Sequence, residues 1–86
     1  MKIARTARFQ KAWELLEHQE KKLARKAIAN LAVDFRYPAL NVKKMKSTQG
    51  VWEVRVSLSL RITFEIAGDT IILRNIGRHD DVLGSP

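Results

Sequence analysis

The stretch Val51-Trp-Glu-Val-Arg-Val56, followed three residues later by Leu60-Arg-Ile-Thr-Phe-Glu-Ile66, decides the fold of this 86-residue chain. In both segments apolar residues alternate with charged or polar ones, which is the pattern of strands with one buried face. Ala67-Gly68-Asp69 is a turn signal, and a third β-branched run, residues 70–76, follows it. Residues 60–66 and 70–76 are therefore predicted to form a hairpin, and the three strands an antiparallel meander.

The second face of this meander carries charge. Glu53, Arg55 and Arg61 share the outward parity on neighbouring strands, and Arg78 and His79 follow the third strand directly. Guanidinium groups bind phosphate oxygens in a planar, bidentate manner, and imidazole gains and loses a proton near neutral pH. The outward face therefore carries candidate groups for binding an anion and for transferring a proton.

The residues before the meander predict a weak edge strand over residues 2–7 and then two helices. The first helix, of about two turns, has apolar residues at i, i+3, i+4 and i+7, namely Phe9, Ala12, Trp13 and Leu16. The second, over residues 20–32, has one apolar side formed by Leu23, Ala27, Ile28 and Leu31. Pro38 ends the helical region, and residues 39–50 form a polar connection. The order predicts an α+β domain, β-α-α-β-β-β, with a helical hairpin packed on a small, mainly antiparallel sheet.

Length and composition limit the possible classes of protein. A chain of 86 residues is long enough for one core, so residues 1–86 are predicted to form a single domain. Cysteine is absent, which excludes disulfides and thiolate metal sites. No apolar run resembles a signal peptide or approaches the roughly 18 residues of a membrane span. These features predict a soluble, cytoplasmic protein with no membrane-spanning segment.

The basic charge is concentrated in one part of the chain. The formal net charge is +7; residues 1–50 hold 12 Lys and Arg against 4 Asp and Glu, whereas residues 51–86 hold 4 against 5. Charge steers encounter with polyanions, so nucleic acid, ribosome, an anionic membrane or an acidic protein are all compatible partners. A basic surface without a specific partner is the alternative.

Four short motifs in this order resemble the landmarks of the RelE/ParE toxin superfamily of toxin-antitoxin modules. They are Val42-Lys-Lys-Met-Lys46, Gly50-Val-Trp-Glu-Val-Arg55, Leu60-Arg-Ile62 and Gly77-Arg-His-Asp-Asp-Val-Leu83. They are similar to the family's lysine-rich loop, aromatic strand, arginine strand and C-terminal motif, and the resemblance covers essentially the whole chain. It implies the RelE-like fold described above.

The resemblance implies two functions of different kinds. Members similar to RelE are ribosome-dependent endoribonucleases that cut messenger RNA in the A site and are neutralised by a small antitoxin. Members similar to ParE inhibit DNA gyrase without cutting RNA. The arginines and the histidine favour the nuclease, with an acidic antitoxin, the ribosome and messenger RNA as partners and no small-molecule cofactor. A degenerate member that only binds an antitoxin is the third alternative.

Metal-free RNA cleavage by the ribose 2′-OH needs a base, cations for the phosphate, and an acid. Arg61 stands where RelE-like members have a strand arginine, and Arg55 where they have a basic residue, so the two are the expected phosphate clamp. His79 stands where the family has arginine or, in YafQ-like members, histidine. It is the expected general acid or base, or alternatively a turn histidine. Arg61→Ala and His79→Ala are expected to abolish toxicity and leave the fold intact.

Two positions depart from the family pattern. Glu53 replaces a lysine of RelE; it is a candidate general base, although pairing with Arg55 across the sheet surface is the favoured role. Leu83 stands where many relatives place a C-terminal aromatic residue that stacks on a base. Trp52 is a poor substitute, because its parity directs it into the core.

The remaining candidates are residues that contact RNA rather than perform chemistry. They are Lys43, Lys44, Lys46, Arg74 and Arg78. Ile71 and Ile72 are both apolar, so the alternation does not show on which face of the sheet Arg74 lies. His79-Asp80-Asp81 suggests a metal site, but consecutive residues seldom converge on one ion, so no metal is expected. The glycines are isolated and form no phosphate-binding loop.

Overall fold

The structure, a computed structural model, describes residues 1–46 and 49–86 and contains one five-stranded sheet. In chain order the elements are β1 (Lys2–Arg5), α1 (Ala7–Glu14), α2 (His18–Val33), a 3-10 turn (Pro38–Leu40), β2 (Lys43–Lys44), β3 (Trp52–Arg55), β4 (Leu60–Ala67), β5 (Thr70–Arg78) and α3 (His79–Gly84). The strand order is β1-β5-β4-β3-β2, and β1 is parallel to β5 while the other neighbouring pairs are antiparallel. The α+β class and the mainly antiparallel sheet are confirmed.

The core lies between one face of the sheet and the helices α1 and α2. The strands contribute their inward residues, which are Val54, Leu60, Ile62, Phe64, Ile71, Leu73 and Ile76. The helices contribute Phe9, Trp13, Ala24, Ile28 and Leu31. Because Phe9, Ile62, Phe64 and Leu73 are all 0% exposed, the period-2 and period-3.6 patterns describe this interface correctly.

Side chains near the helix starts determine where the helices begin. The Thr6 hydroxyl accepts a hydrogen bond from the Phe9 N–H at 3.1 Å and caps α1. α2 begins at His18, two residues earlier than predicted, because Glu17 and Glu20 form a capping box. At 16 residues α2 is the longest described helix, and none of the described helices is long and apolar enough to cross a membrane.

Two features of the prediction from sequence are wrong. Leu23 is 38% exposed, and Ala24 takes its place in the core because Ala24, Ile28 and Leu31 follow the i, i+4, i+7 stripe. The connection over residues 39–50 contains the 3-10 turn and the edge strand β2; residues 47 and 48 lie outside the described part. The chain also ends in a third helix that the periodicity did not indicate.

Gly68 makes the tight turn between β4 and β5. Ala67 and Thr70 are Cα partners, and Gly68 has a φ of 61°, the left-handed region that suits the first central residue of a type II′ turn. Gly68→Ala is expected to lower the free energy of unfolding by about 1–2 kcal/mol, because a Cβ is strained there. Urea unfolding measures the change, with Gly84→Ala as the control outside the left-handed region. Equal stability of both variants would contradict the expected strain.

Candidate functional site

The second face of the sheet is covered by the C-terminal residues. The carbonyl oxygen of Pro86 accepts hydrogen bonds from the Thr63 hydroxyl at 2.9 Å and from Arg74 Nε at 3.2 Å. Val82 is fully buried, and its side chain lies over Gly77. Thr63 is therefore 0% exposed and Arg61 only 8% exposed. The prediction of a solvent-exposed charged face is wrong along β4, because a segment distant in sequence packs on it.

Arg61 is a buried residue that binds other protein groups. Its Nε lies 3.5 Å from Oε1 of Glu53, and the two side chains are 9% and 13% exposed. Its Nη1 lies 2.7 Å from the carbonyl oxygen of Ser57 and 3.1 Å from that of Leu58. The guanidinium thus joins β3 to the β3–β4 connection. Glu53 is paired with Arg61 and not with Arg55, and the pair is largely buried rather than exposed on the sheet surface.

Arg55 and Arg61 do not form a joint phosphate clamp in this structure. They lie on neighbouring strands with the same parity, as predicted, and are Cα partners on β3 and β4. Arg55, however, is exposed and lines a separate cleft with Lys26 and Asn30 of α2. The Arg61 guanidinium is therefore buried beside Glu53, whereas the Arg55 guanidinium faces the separate cleft next to α2.

Five of the nine predicted site residues line one cleft of about 400 Å³. We call it the lysine cleft; its lining residues are Lys43, Lys44, Met45, Lys46, Glu53, His79 and Leu83. β2 brings two of the lysines there by pairing with β3, since Lys43 is the Cα partner of Glu53. The N–H of His79 donates to the Ser59 carbonyl at 3.0 Å, which fixes the first residue of α3 at the cleft. Cations, a carboxylate and an imidazole therefore share one site.

Arg74 and Arg78 bind protein groups elsewhere. Ile72 is the Cα partner of Glu65, and Arg74 lies two residues further along β5, so Arg74 is on the same face as Glu65, with which it forms an ion pair. This register resolves the face that the sequence left open. Arg78 Nη1 donates to the Ser59 hydroxyl at 2.9 Å, and its Nη2 lies 3.6 Å from Oε2 of Glu20. Neither residue lines the lysine cleft, so their predicted RNA contacts are not part of this site.

The part of the chain that the structure describes contains no group of three or more histidine, aspartate or glutamate side chains that could hold a metal ion. His18 is the first residue of α2 and exposed. The sequence analysis also missed a second, aromatic-lined cleft that includes Tyr37 and Trp52. The signal for it was two aromatic residues, Phe35 and Tyr37, close to the turn residues Pro38 and Asn41, but the approach of Trp52 depends on how this loop packs against β3.

Comparison with known proteins identifies the fold. No protein-family model and no curated protein sequence matches the chain. Among solved structures, the chain is similar to a YoeB/ParE toxin from Agrobacterium tumefaciens, with a TM-score of 0.80, 15% identity, and 92% of this chain and 99% of that chain covered. It is similar to a metal-bound toxin from Helicobacter pylori, with a TM-score of 0.78, 20% identity, and 95% and 98% covered.

A third similar structure is that of a RelB-RelE antitoxin-toxin complex from Methanococcus jannaschii. Its TM-score is 0.76 at 20% identity, with 96% of this chain and 98% of that chain covered. All three structures match over nearly their whole length. The chain therefore has the fold of the RelE/ParE toxin superfamily, and the fold that the motifs implied is confirmed.

Proposed function

We propose that this chain is the toxin of a toxin-antitoxin pair, an endoribonuclease that cuts messenger RNA in the ribosomal A site and is neutralised by an acidic antitoxin. One observation carries the proposal: a carboxylate, an imidazole and three lysines line the same cleft. A gyrase inhibitor needs no such combination of acid, base and cations. The similar fold of a toxin in complex with an antitoxin supports the partner.

The proposed reaction uses the 2′-OH of one ribose as the nucleophile. Glu53 accepts the 2′ proton while the 2′ oxygen attacks phosphorus, and the bond from phosphorus to the 5′ oxygen breaks. His79, as imidazolium, donates a proton to the leaving 5′ oxygen. The products are a 2′,3′-cyclic phosphate and a 5′-hydroxyl. The step needs no metal and no cofactor.

The lysines supply the positive charge for this reaction. Lys43, Lys44 and Lys46 are exposed at the rim of the cleft, where their ammonium groups can balance the charge on the pentacoordinate phosphate. Arg61 is assigned a positioning role rather than that of a phosphate clamp. Its contact with Oε1 of Glu53 orients the carboxylate, and the Ser57 carbonyl holds the guanidinium in place.

The test is primer extension on a defined message in a reconstituted translation system, with and without ribosomes. The expected result is cleavage at A-site codons only when both the protein and ribosomes are present. An intact message together with growth arrest in cells would contradict the proposal and favour gyrase inhibition. An intact message without growth arrest would indicate a module that only binds an antitoxin.

A further inference from the structure

The chain contains six aromatic residues, and their distribution is uneven. Phe9, Trp13 and Phe64 are buried in the core. The other three line a cleft of about 500 Å³ between the end of α2 and β3, which we call the aromatic cleft. Its lining residues are Phe35, Arg36, Tyr37, Pro38, Asn41, Val42 and Trp52. Every aromatic residue that the core does not bury is thus at this one place.

Local hydrogen bonds define the backbone of the loop that lines the aromatic cleft. The Tyr37 N–H donates to the Asp34 carbonyl at 3.1 Å, Pro38 begins the 3-10 turn, and Asn41 ends it with a left-handed φ of 51°. The rings of Phe35 and Trp52 meet edge to face with centroids 6.1 Å apart. Tyr37 remains 52% exposed. A fixed backbone therefore presents an accessible ring, so little conformational entropy is lost when a flat ligand binds.

The aromatic cleft is adjacent to the lysine cleft. Trp52 and Glu53 are consecutive residues of β3, so their side chains lie on opposite faces of the sheet. β2 forms the edge between the clefts: Lys43 is the Cα partner of Glu53, and Lys44 that of Trp52. Lys44 lines the lysine cleft, and its Nζ lies 5.9 Å from the centroid of the Trp52 ring. An RNA strand that crosses β2 from one cleft to the other therefore passes the ammonium groups of Lys43 and Lys44.

We propose that the aromatic cleft binds one unpaired nucleobase of the RNA whose phosphate lies in the lysine cleft. The inference rests on the proposed function, because that function makes RNA the ligand. Single-stranded bases stack on aromatic rings and on arginine planes, and the Arg36 guanidinium lies 5.3 Å from the Phe35 centroid. The Asn41 amide offers both a donor and an acceptor to a base edge.

Charge favours a polyanion such as RNA over a neutral or basic peptide as the occupant. Arg36 lines the cleft, Lys44 lies beside Trp52, and no carboxylate is among the described lining residues. A polyanion is attracted to such a surface.

The test is the affinity of the whole protein for a labelled single-stranded RNA tetranucleotide, compared with the same tetranucleotide carrying one abasic position. Fluorescence anisotropy is expected to show about tenfold tighter binding of the intact RNA, the size of one base–aromatic stack. Tyr37→Ala is expected to remove most of this preference, and Tyr37→Phe to keep it. Leu15→Ala, at a residue 87% exposed outside both clefts, is the control and should bind like wild type.

Equal affinity of the wild type for both RNAs would overturn the inference, and so would a base preference that survives Tyr37→Ala. An antitoxin that loses affinity for Tyr37→Ala while RNA binding stays unchanged would also overturn it, by identifying a peptide as the occupant. The ribosomal cleavage assay tests the proposed nuclease function independently of the aromatic cleft. A base preference without cleavage supports this site and contradicts the nuclease, whereas cleavage without a base preference does the reverse.

Discussion

Replacement of His79 by alanine is expected to slow ribosome-dependent cleavage by a factor of about 100 to 10,000, the usual contribution of a general acid or base. His79 lines the lysine cleft, and the other histidine of the chain, His18, lies at the start of α2. His18 therefore cannot replace His79 in the reaction. His79 is exposed, so its removal should leave the fold intact. The measurement is the single-turnover rate of message cleavage on programmed ribosomes.

His18→Ala is the matched control, since it removes the same group from another exposed position. This variant should cleave at the wild-type rate, and both variants should unfold at the wild-type urea concentration. If His18→Ala and His79→Ala cleaved equally fast, the acid of the reaction would not be His79. The mechanism would then lack its proton donor.

Arg61→Ala is expected to lower the free energy of unfolding by about 3–5 kcal/mol, the range for removal of one partner from a buried ion pair. The Glu53 carboxylate, 13% exposed in the intact pair, would lose its arginine partner. The carbonyl oxygens of Ser57 and Leu58 would also lose a donor. The alternation of β4 predicts an exposed Arg61 whose replacement leaves the fold intact; burial of the Arg61–Glu53 pair reverses that expectation. Urea unfolding followed by circular dichroism measures the loss.

Arg74→Ala is the matched control on the same sheet face. Arg74 also pairs with a glutamate, but its side chain is 33% exposed and that of Glu65 is 42% exposed, so a loss of about 1 kcal/mol or less is expected for the ion pair itself. The double variant of Arg61→Ala with Glu53→Gln should lose less than the sum of its single changes, because no carboxylate charge is left unpaired. Equal losses for the two arginines would show that burial of the Arg61 pair is energetically unimportant.

The meander could be predicted because its information is local. Alternation along residues 51–66 and the turn at Gly68 determine which side chains face the helices, and the structure confirms that inward set. The pairing of Arg55 with Arg61 also follows from this register. The predicted alignment of Glu53 with the outward face is likewise correct, although the face is covered.

The site was less predictable because it depends on contacts between distant segments. Parity shows that the side chains of Arg61 and Thr63 point away from the core, but it does not show whether solvent or protein lies on that side. In the structure residues 79–86 cover this face. β2 has two residues, both lysines, and so carries no hydrophobic period. The aromatic cleft depends on a loop whose turn residues were visible but whose position against β3 was not.

The pairing of β1 with β5 bears on how the protein folds during synthesis. Lys2 lies beside Thr70, and the Thr6 hydroxyl donates to the carbonyl of Arg74 across 68 positions of sequence. Such contacts form slowly, because a long loop must close before any of them stabilises the chain. β5 is also the partner of β4. β1 therefore cannot pair until β5 has been synthesised. We expect the domain to acquire its native structure late, in one cooperative step, rather than progressively from its N-terminus.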